Sequence, residues 1–414
     1  MHVDLLITHA AQLLTLAAPG PRTGPALADL GLVEDGAVAC RDGRIVAVGP
    51  TREVLAQVDS AAETLDARGR VVMPGFVDAH THVVYAGDRA AEFELRVQGA
   101  TYLEIMAAGG GIMSTVRATR AASLDQLVAE TRARLDRMLR LGTTTVEAKT
   151  GYGLDRDTER KMLEAIAALD QTGPVDLVPT YLGAHAIPAE YSGRADEFVD
   201  FVVGELGTLK AEGQPVEFVD VFCDAGAFTL EQSEAVLTRA KALGYGVKIH
   251  ADEFAHLGGA SLAARLEAVS ADHLAVTPPD EMRRLAEAGV VAVVLPGTSF
   301  GLGHTHYADG RTMVERGVAV ALATDLNPGT CPCESMPFML ALACRYLRLS
   351  PAEAVVAATL NAAFAIGRGD RVGSLAVGKQ ADLLVLTTAD YRDLAYRFGG
   401  NVVERVVKQG TVVV

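Results

Sequence analysis

VDLLITHA (residues 3–10) alternates apolar and polar positions, the period-two pattern of a half-buried strand. AVACRDGRIVAVG holds two more short strands around Asp42-Gly43, a favoured hairpin turn, so residues 1–68 read as β structure. From residue 69 the texture changes to short apolar runs separated by amphipathic stretches. The runs expected as strands are 71–79, 143–148, 175–182, 216–223, 245–251, 267–273, 290–296 and 318–325. A helix is expected from Ser123, with Gln126 completing a capping box, to near Gly142; Leu127, Leu135, Met138 and Leu139 form its apolar stripe. Eight nearly continuous apolar runs alternating with helices predict an α/β fold, a parallel (β/α)8 TIM barrel. A doubly wound sheet would be expected to show a Gly-rich phosphate turn after an early strand, and none is present. After about residue 374, GSLAVGKQADLLVL and ERVVKQGTVVV return to period two. The expected division is therefore 1–68 and 374–414 as two parts of one small β-sandwich, with 69–373 as the barrel.

Composition narrows the partners. The 414 residues include 37 basic and 52 acidic side chains, a formal net charge of −15. Such a surface disfavours nucleic acid and anionic membrane, and an anionic ligand would need a locally positive pocket. No stretch approaches the ~20 apolar residues needed to span a bilayer. Five scattered cysteines (Cys40, Cys223, Cys331, Cys333, Cys344) read as reduced thiols, and the start MHVDLLITHAAQLLTL reads as a strand and not a leader. A cytoplasmic location and a small-molecule substrate are expected.

The strongest chemical signal is DAHTH, with His80 and His82 at the end of the first barrel run. Alternate residues on a strand face one side, and the C-terminal end of a barrel strand is the active-site mouth. His250 closes YGVKIHA, His273 closes EAVSADH, and Asp325 closes VAVALATD. Each alone reads as a buried, hydrogen-bonded polar residue. Together they place nitrogen and oxygen donors at the same end of four strands, a set suited to a divalent cation.

This pattern resembles the amidohydrolase superfamily, which carries His-x-His on strand 1, His on strands 5 and 6, and Asp on strand 8. Two-metal members use a carboxylated Lys on strand 4; this strand ends at Cys223-Asp224, and Lys248 lies on strand 5. The resemblance thus implies one Zn2+ or Fe ion per chain, held by His80, His82, His250 and Asp325, with His273 behind them. AGDRAAEFELRVQGATYLEIMAAGGGI, EAKTGYGL, TYLGAHAIP, KIHADEF and ATDLNPGT are similar to segments of the imidazolonepropionase family. That resemblance implies hydrolysis of the ring C–N amide bond of 4-imidazolone-5-propanoate to N-formimidoyl-L-glutamate, in histidine degradation, by a homodimer. It implies that Arg89, Tyr152, His185, Glu253, Asn327, Gly329 and Thr330 contact substrate. Arg89 would hold the propionate, Asp325 or Glu253 would move the proton, and His273 would face the developing oxyanion.

His304-Thr305-His306 is a second His-x-His, but in a Gly-rich loop, and reads as a rim segment. Cys331-Pro332-Cys333 reads as ordinary thiols, and Gly109–Gly111 as a flexible loop near the mouth. A ring-amidine deaminase would share the His, His, His, Asp set; Arg89 with Tyr152 and His185 suits an anionic tail instead. A non-catalytic barrel would be expected to lack one of these donors, and none is missing.

Overall fold

The computed structural model describes residues 1–100, 104 and 109–414. Eight parallel strands succeed one another in sequence order: β1 (Phe76–Asp78), β2 (Thr143–Lys149), β3 (Asp176–Ala184), β4 (Phe218–Cys223), β5 (Gly246–Ala251), β6 (Ser270–His273), β7 (Val291–Val294) and β8 (Ala319–Leu322). Nearly every residue in them is buried, which is why they read as apolar runs without alternation. Helices such as Leu124–Arg140, Arg156–Thr172 and Leu230–Ala242 return the chain between strands. Ser123 caps the first of these by accepting from the Gln126 amide. The expected capping box is only half made, because the Gln126 side chain turns to Glu130 at 2.8 Å.

The barrel closes just above the ends of β1 and β8. Thr81 bridges Leu326, the His82 amide donates to the Leu326 carbonyl at 2.9 Å, and the Asp325 amide donates to the His80 carbonyl at 3.0 Å. Asp78 adds a side-chain tie, accepting from the Thr324 amide at 2.9 Å and hydroxyl at 2.6 Å. Closing the barrel and juxtaposing His80, His82 and Asp325 are therefore the same event.

The terminal segments build two sheets. One runs Arg44–Pro50, Gly36–Arg41, His2–Ala10, Ser60–Asp66. The other runs Thr411–Val412, Val403–Lys408, Leu383–Leu386, Val71–Pro74, Gln12–Leu14, Leu32–Val33. Leu5, Ile7, Leu13, Val72, Leu383 and Val407 share one apolar core between them, so both ends of the chain are needed to bury it. The expected hairpin turn is present, with Asp42 at φ 52° and Gly43 at φ 74°, the left-handed pair that matches strand twist.

The run expected as one strand over 71–79 is two. Val71–Pro74 pairs with Leu383–Leu386 in the terminal sheet, while Phe76–Asp78 opens the barrel beside β2. The break falls at Gly75, where a Cβ would lie 2.3 Å from Thr144 Oγ1. Only glycine lets the chain pass that closely from one sheet to the other. Among the described residues no helix is long and apolar enough to cross a membrane.

Candidate active site

The four residues expected to share an ion are brought together at the barrel mouth, all at most 3% exposed. Asp325 Oδ1 lies 3.6 Å from His80 Nε2 and 3.5 Å from His82 Nε2, and His82 Nε2 lies 3.4 Å from His250 Nε2. An ion about 2.1 Å from each nitrogen holds tetrahedral donors ~3.4 Å apart, so the spacing fits a small divalent cation. His80 and His250 also group with His273, whose ring centroid is 5.4 Å and 5.2 Å from theirs. His273 and Asp325 both have left-handed backbones, φ 74° and φ 54°, strain of about 1–3 kcal/mol each that the closed barrel must hold.

Beneath the imidazoles lies a buried polar layer. Asp272 Oδ2 sits 2.6 Å from His80 Nδ1, and Asp220 Oδ2 sits 2.9 Å from His250 Nδ1. A carboxylate only accepts, so the His80 proton stands on Nδ1 and its buried Nε2, otherwise without a partner, offers a lone pair to the mouth. Burial and the neighbouring cations hold His80 well below the usual imidazole range, keeping it neutral. Lys149 Nζ joins Asp220 at 2.7 Å and Glu147 at 2.9 Å, and Lys248 Nζ joins Glu147 at 2.8 Å. Glu147, Asp220 and Asp272 share two ammonium groups, and Asp325 stands as a fourth carboxylate among the imidazoles. The missing two positive charges are what a divalent cation supplies, so the residues fit a metal ion in charge as well as spacing.

Asp325 Oδ2 accepts from Thr298 Oγ1 at 2.5 Å, which turns Oδ1 toward the imidazoles; burial raises this carboxyl to about 6. Glu253 is set by Asp224, the residue after β4, which accepts the backbone amides of Glu253, Phe254 and Ala255 at 2.7–3.0 Å. Burial first, then Asp325 and Asp224, raise the Glu253 carboxyl well above the usual range. Its Oε2 lies 3.6 Å from His273 Nδ1.

The expected substrate contacts line the other side. His185 stacks on His82 with centroids 4.8 Å apart, and Tyr152 sits 5.3 Å from His185. His185 Nδ1 meets the Gly151 carbonyl at 3.0 Å, so Nδ1 donates and Nε2 is left as an acceptor; burial lowers this imidazole to about 3. Arg89 gives its Nε to Glu92 at 2.8 Å. Its Nη1 crowds Gly329, where a Cβ would lie 2.2 Å away. Asn327 builds its own loop: its amide oxygen accepts from the Gly329 and Thr330 amides, and its nitrogen donates to the Asp325 carbonyl and Thr330 Oγ1.

His304 and His306 are exposed and stand on the rim of a cavity of about 400 Å³ that reaches Glu253 and His273. All five cysteines are free, and Cys331 is buried, its carbonyl accepting from the Asn327 amide at 3.0 Å. Gly111 is pinned, its amide donating to Glu92 Oε2 at 3.1 Å, so it is the N-cap of the helix Ile112–Ala121 and not a free loop. The 101–103 and 105–108 portion of the quoted AGDRAAEFELRVQGATYLEIMAAGGGI segment lies outside the described residues.

The amidohydrolase family matches residues 71–413, and an imidazolonepropionase-like composite domain of bacteria matches residues 36–57. The chain belongs to the amidohydrolase family. The imidazolonepropionase of Herpetosiphon aurantiacus is 54% identical over 100% of this chain and 97% of its own. That of Chloroflexus aggregans is 53% identical over 99% and 98%. Within the family, this chain stands among the imidazolonepropionases. Solved structures share the fold: a zinc-bound adenosine deaminase from Xanthomonas campestris aligns with TM-score 0.72 at 22% identity, covering 99% of this chain and 93% of its own. Guanine deaminase of E. coli aligns with TM-score 0.73 at 17% identity, covering 99% and 98%.

Proposed function

We propose that this chain opens the ring of 4-imidazolone-5-propanoate by adding water to the ring carbonyl and breaking the adjacent C–N bond, giving N-formimidoyl-L-glutamate. One observation carries the reading: a divalent-sized donor set and a guanidinium lie on one barrel mouth, in a chain 54% identical to an imidazolonepropionase along its whole length. His80, His82, His250 and Asp325 would hold one Zn2+ or Fe ion. The chemistry such an ion supplies is Lewis acidity, polarising a carbonyl and lowering the pKa of water to about 7.

The chain's own residues do the rest. Arg89 receives the propionate, which the overall charge of −15 would otherwise repel. Tyr152 and the His185 Nε2 acceptor frame the ring, which excludes bulk water from that side. Asp325, oriented by Thr298, accepts the proton of the attacking water. Glu253, with a raised affinity for its proton, delivers one to the leaving nitrogen. His273 donates to the oxygen that gathers charge as the carbonyl becomes tetrahedral. The Asn327–Thr330 loop closes the far side of the site. We place the enzyme in the cytoplasm as a homodimer, supported by the family resemblance and by thiols that are all free.

The test is a substrate panel of imidazolonepropionate, hydantoins, guanine and cytosine, run with metal analysis of the purified protein. Turnover of imidazolonepropionate with close to one metal per chain is expected. Deamination of guanine or cytosine in its place would overturn the assignment.

A further inference from the structure

The helix Ala90–Val97 follows directly on Arg89, and its last turn carries a second arginine, Arg96. Arg89 is the N-cap of that helix and Arg96 lies two turns further along it. Both converge on one residue of the loop after β8. Arg89 Nη1 occupies the space where a Gly329 Cβ would be, and Arg96 Nη2 donates to the Gly329 carbonyl at 3.1 Å. Between them stands one carboxylate, Glu92, already engaged by Arg89 Nε, by the Gly111 amide and by Ser114 Oγ at 2.9 Å. Burial and the positive charge of Arg89 make Arg96 less ready to stay protonated than an ordinary arginine, the expected effect of a second cation pressed against a first. Arg96 gives its Nη2 to a backbone carbonyl and Glu92 is bonded to Arg89, so among the described contacts the Arg96 charge is held against the loop after β8, where it suits a carboxylate brought in from outside.

We infer that Arg96 is a specificity-determining residue, a second cation that selects substrates with an anionic tail while Arg89 grips that tail. This rests on the proposed imidazolone hydrolysis and adds a residue to its recognition. Arg96 acts through its charge, and its bond to Gly329 keeps that charge over the site. A unit charge several ångströms away in a partly wet site is worth about a tenfold change in binding of a carboxylate.

The experiment measures KM and kcat of metal-loaded wild type, Arg96→Gln and Arg96→Lys with imidazolonepropionate and with its uncharged propionamide. Gln keeps a donor for the Gly329 carbonyl and removes the charge; Lys keeps the charge. For the propionate, Arg96→Gln is expected to raise KM about tenfold with kcat within twofold, and Arg96→Lys to return it to within about threefold. KM for the propionamide should not move between wild type and Arg96→Gln. An unchanged KM for the propionate, an equal loss on the propionamide, or a Lys variant as weak as the Gln variant would overturn the inference alone. Wild type that turns over neither compound would sink the reading it rests on, and the inference with it.

Discussion

Glu159 never touches the reaction, yet replacing it with glutamine is expected to cripple turnover. Its buried carboxylate accepts the Gly153 and Leu154 amides at 2.8 and 2.9 Å and the Gly151 amide at 3.1 Å, wrapping residues 151–154 around one charge. Gly151 and Leu154 both have left-handed backbones, φ 104° and 56°, so this loop needs an external hold. The loop carries Tyr152 and supplies the carbonyl that fixes the His185 tautomer. In Glu159→Gln the oxygen can keep its three amide donors, but three charge-assisted bonds become neutral ones. At about 1 kcal/mol lost per bond, the total is roughly 3 kcal/mol. Part of this will appear as lower stability and the remainder as a displaced loop. Since ~1.4 kcal/mol is tenfold, kcat/KM should fall about 10- to 100-fold. The assay is steady-state kinetics on folded protein with its metal quantified. A folded Glu159→Gln enzyme with wild-type kcat/KM, or one that fails by losing metal, would refute the reasoning.

Three further outcomes are expected. Arg89→Ala should raise KM strongly with metal content intact; unchanged kinetics would remove Arg89 from the site. Asp272→Asn, which replaces the acceptor at His80 Nδ1, should weaken metal affinity about 10- to 100-fold in chelator competition, and wild-type affinity would show that His80 is held by packing alone. Glu253→Gln tests the raised carboxyl. A folded-state pKa above the ordinary 4.5 means wild type loses stability as pH rises through 4.5 toward the raised value. The metal-free variant should therefore match wild type at low pH and be the more stable of the two at pH about 8 in denaturant titrations, while kcat falls. Parallel stability curves across that range would contradict the assigned protonation.

Much of the fold was legible because a parallel barrel writes itself locally. Each strand must be buried on both faces, so 291–294 or 319–322 reads as an apolar run whatever its neighbours do. His80, His82, His250, His273 and Asp325 were legible for a related reason. An ionisable residue closing such a run has only the mouth to face. The strand over 71–79 was misread because a run of apolar residues says nothing about which sheet receives it. The division at Gly75 depends on how close Thr144 comes, which is a fact about another strand.

The layer beneath the imidazoles escaped for a different reason, although its signal was present. Glu147 and Lys149 on β2, and Lys248 and His250 on β5, are spaced two apart, so each pair points inward from one face of its strand. A charged residue inside an apolar run costs several kcal/mol unless paired. That cost should have marked Glu147, Lys149, Asp220, Lys248 and Asp272 as partners of one another. What local reading could not supply was register: Lys149 meets Asp220 and His80 meets Asp272 only across the barrel, between strands far apart in the chain. Charge balance closes the gap that spacing leaves. Four buried carboxylates against two ammoniums leave two positive charges wanting, while burial holds His80, His82 and His273 well below the usual imidazole range. Three of the four carboxylates behind that demand, Glu147, Asp220 and Asp272, would never touch the cation, and the fourth, Asp325, is one of its proposed ligands.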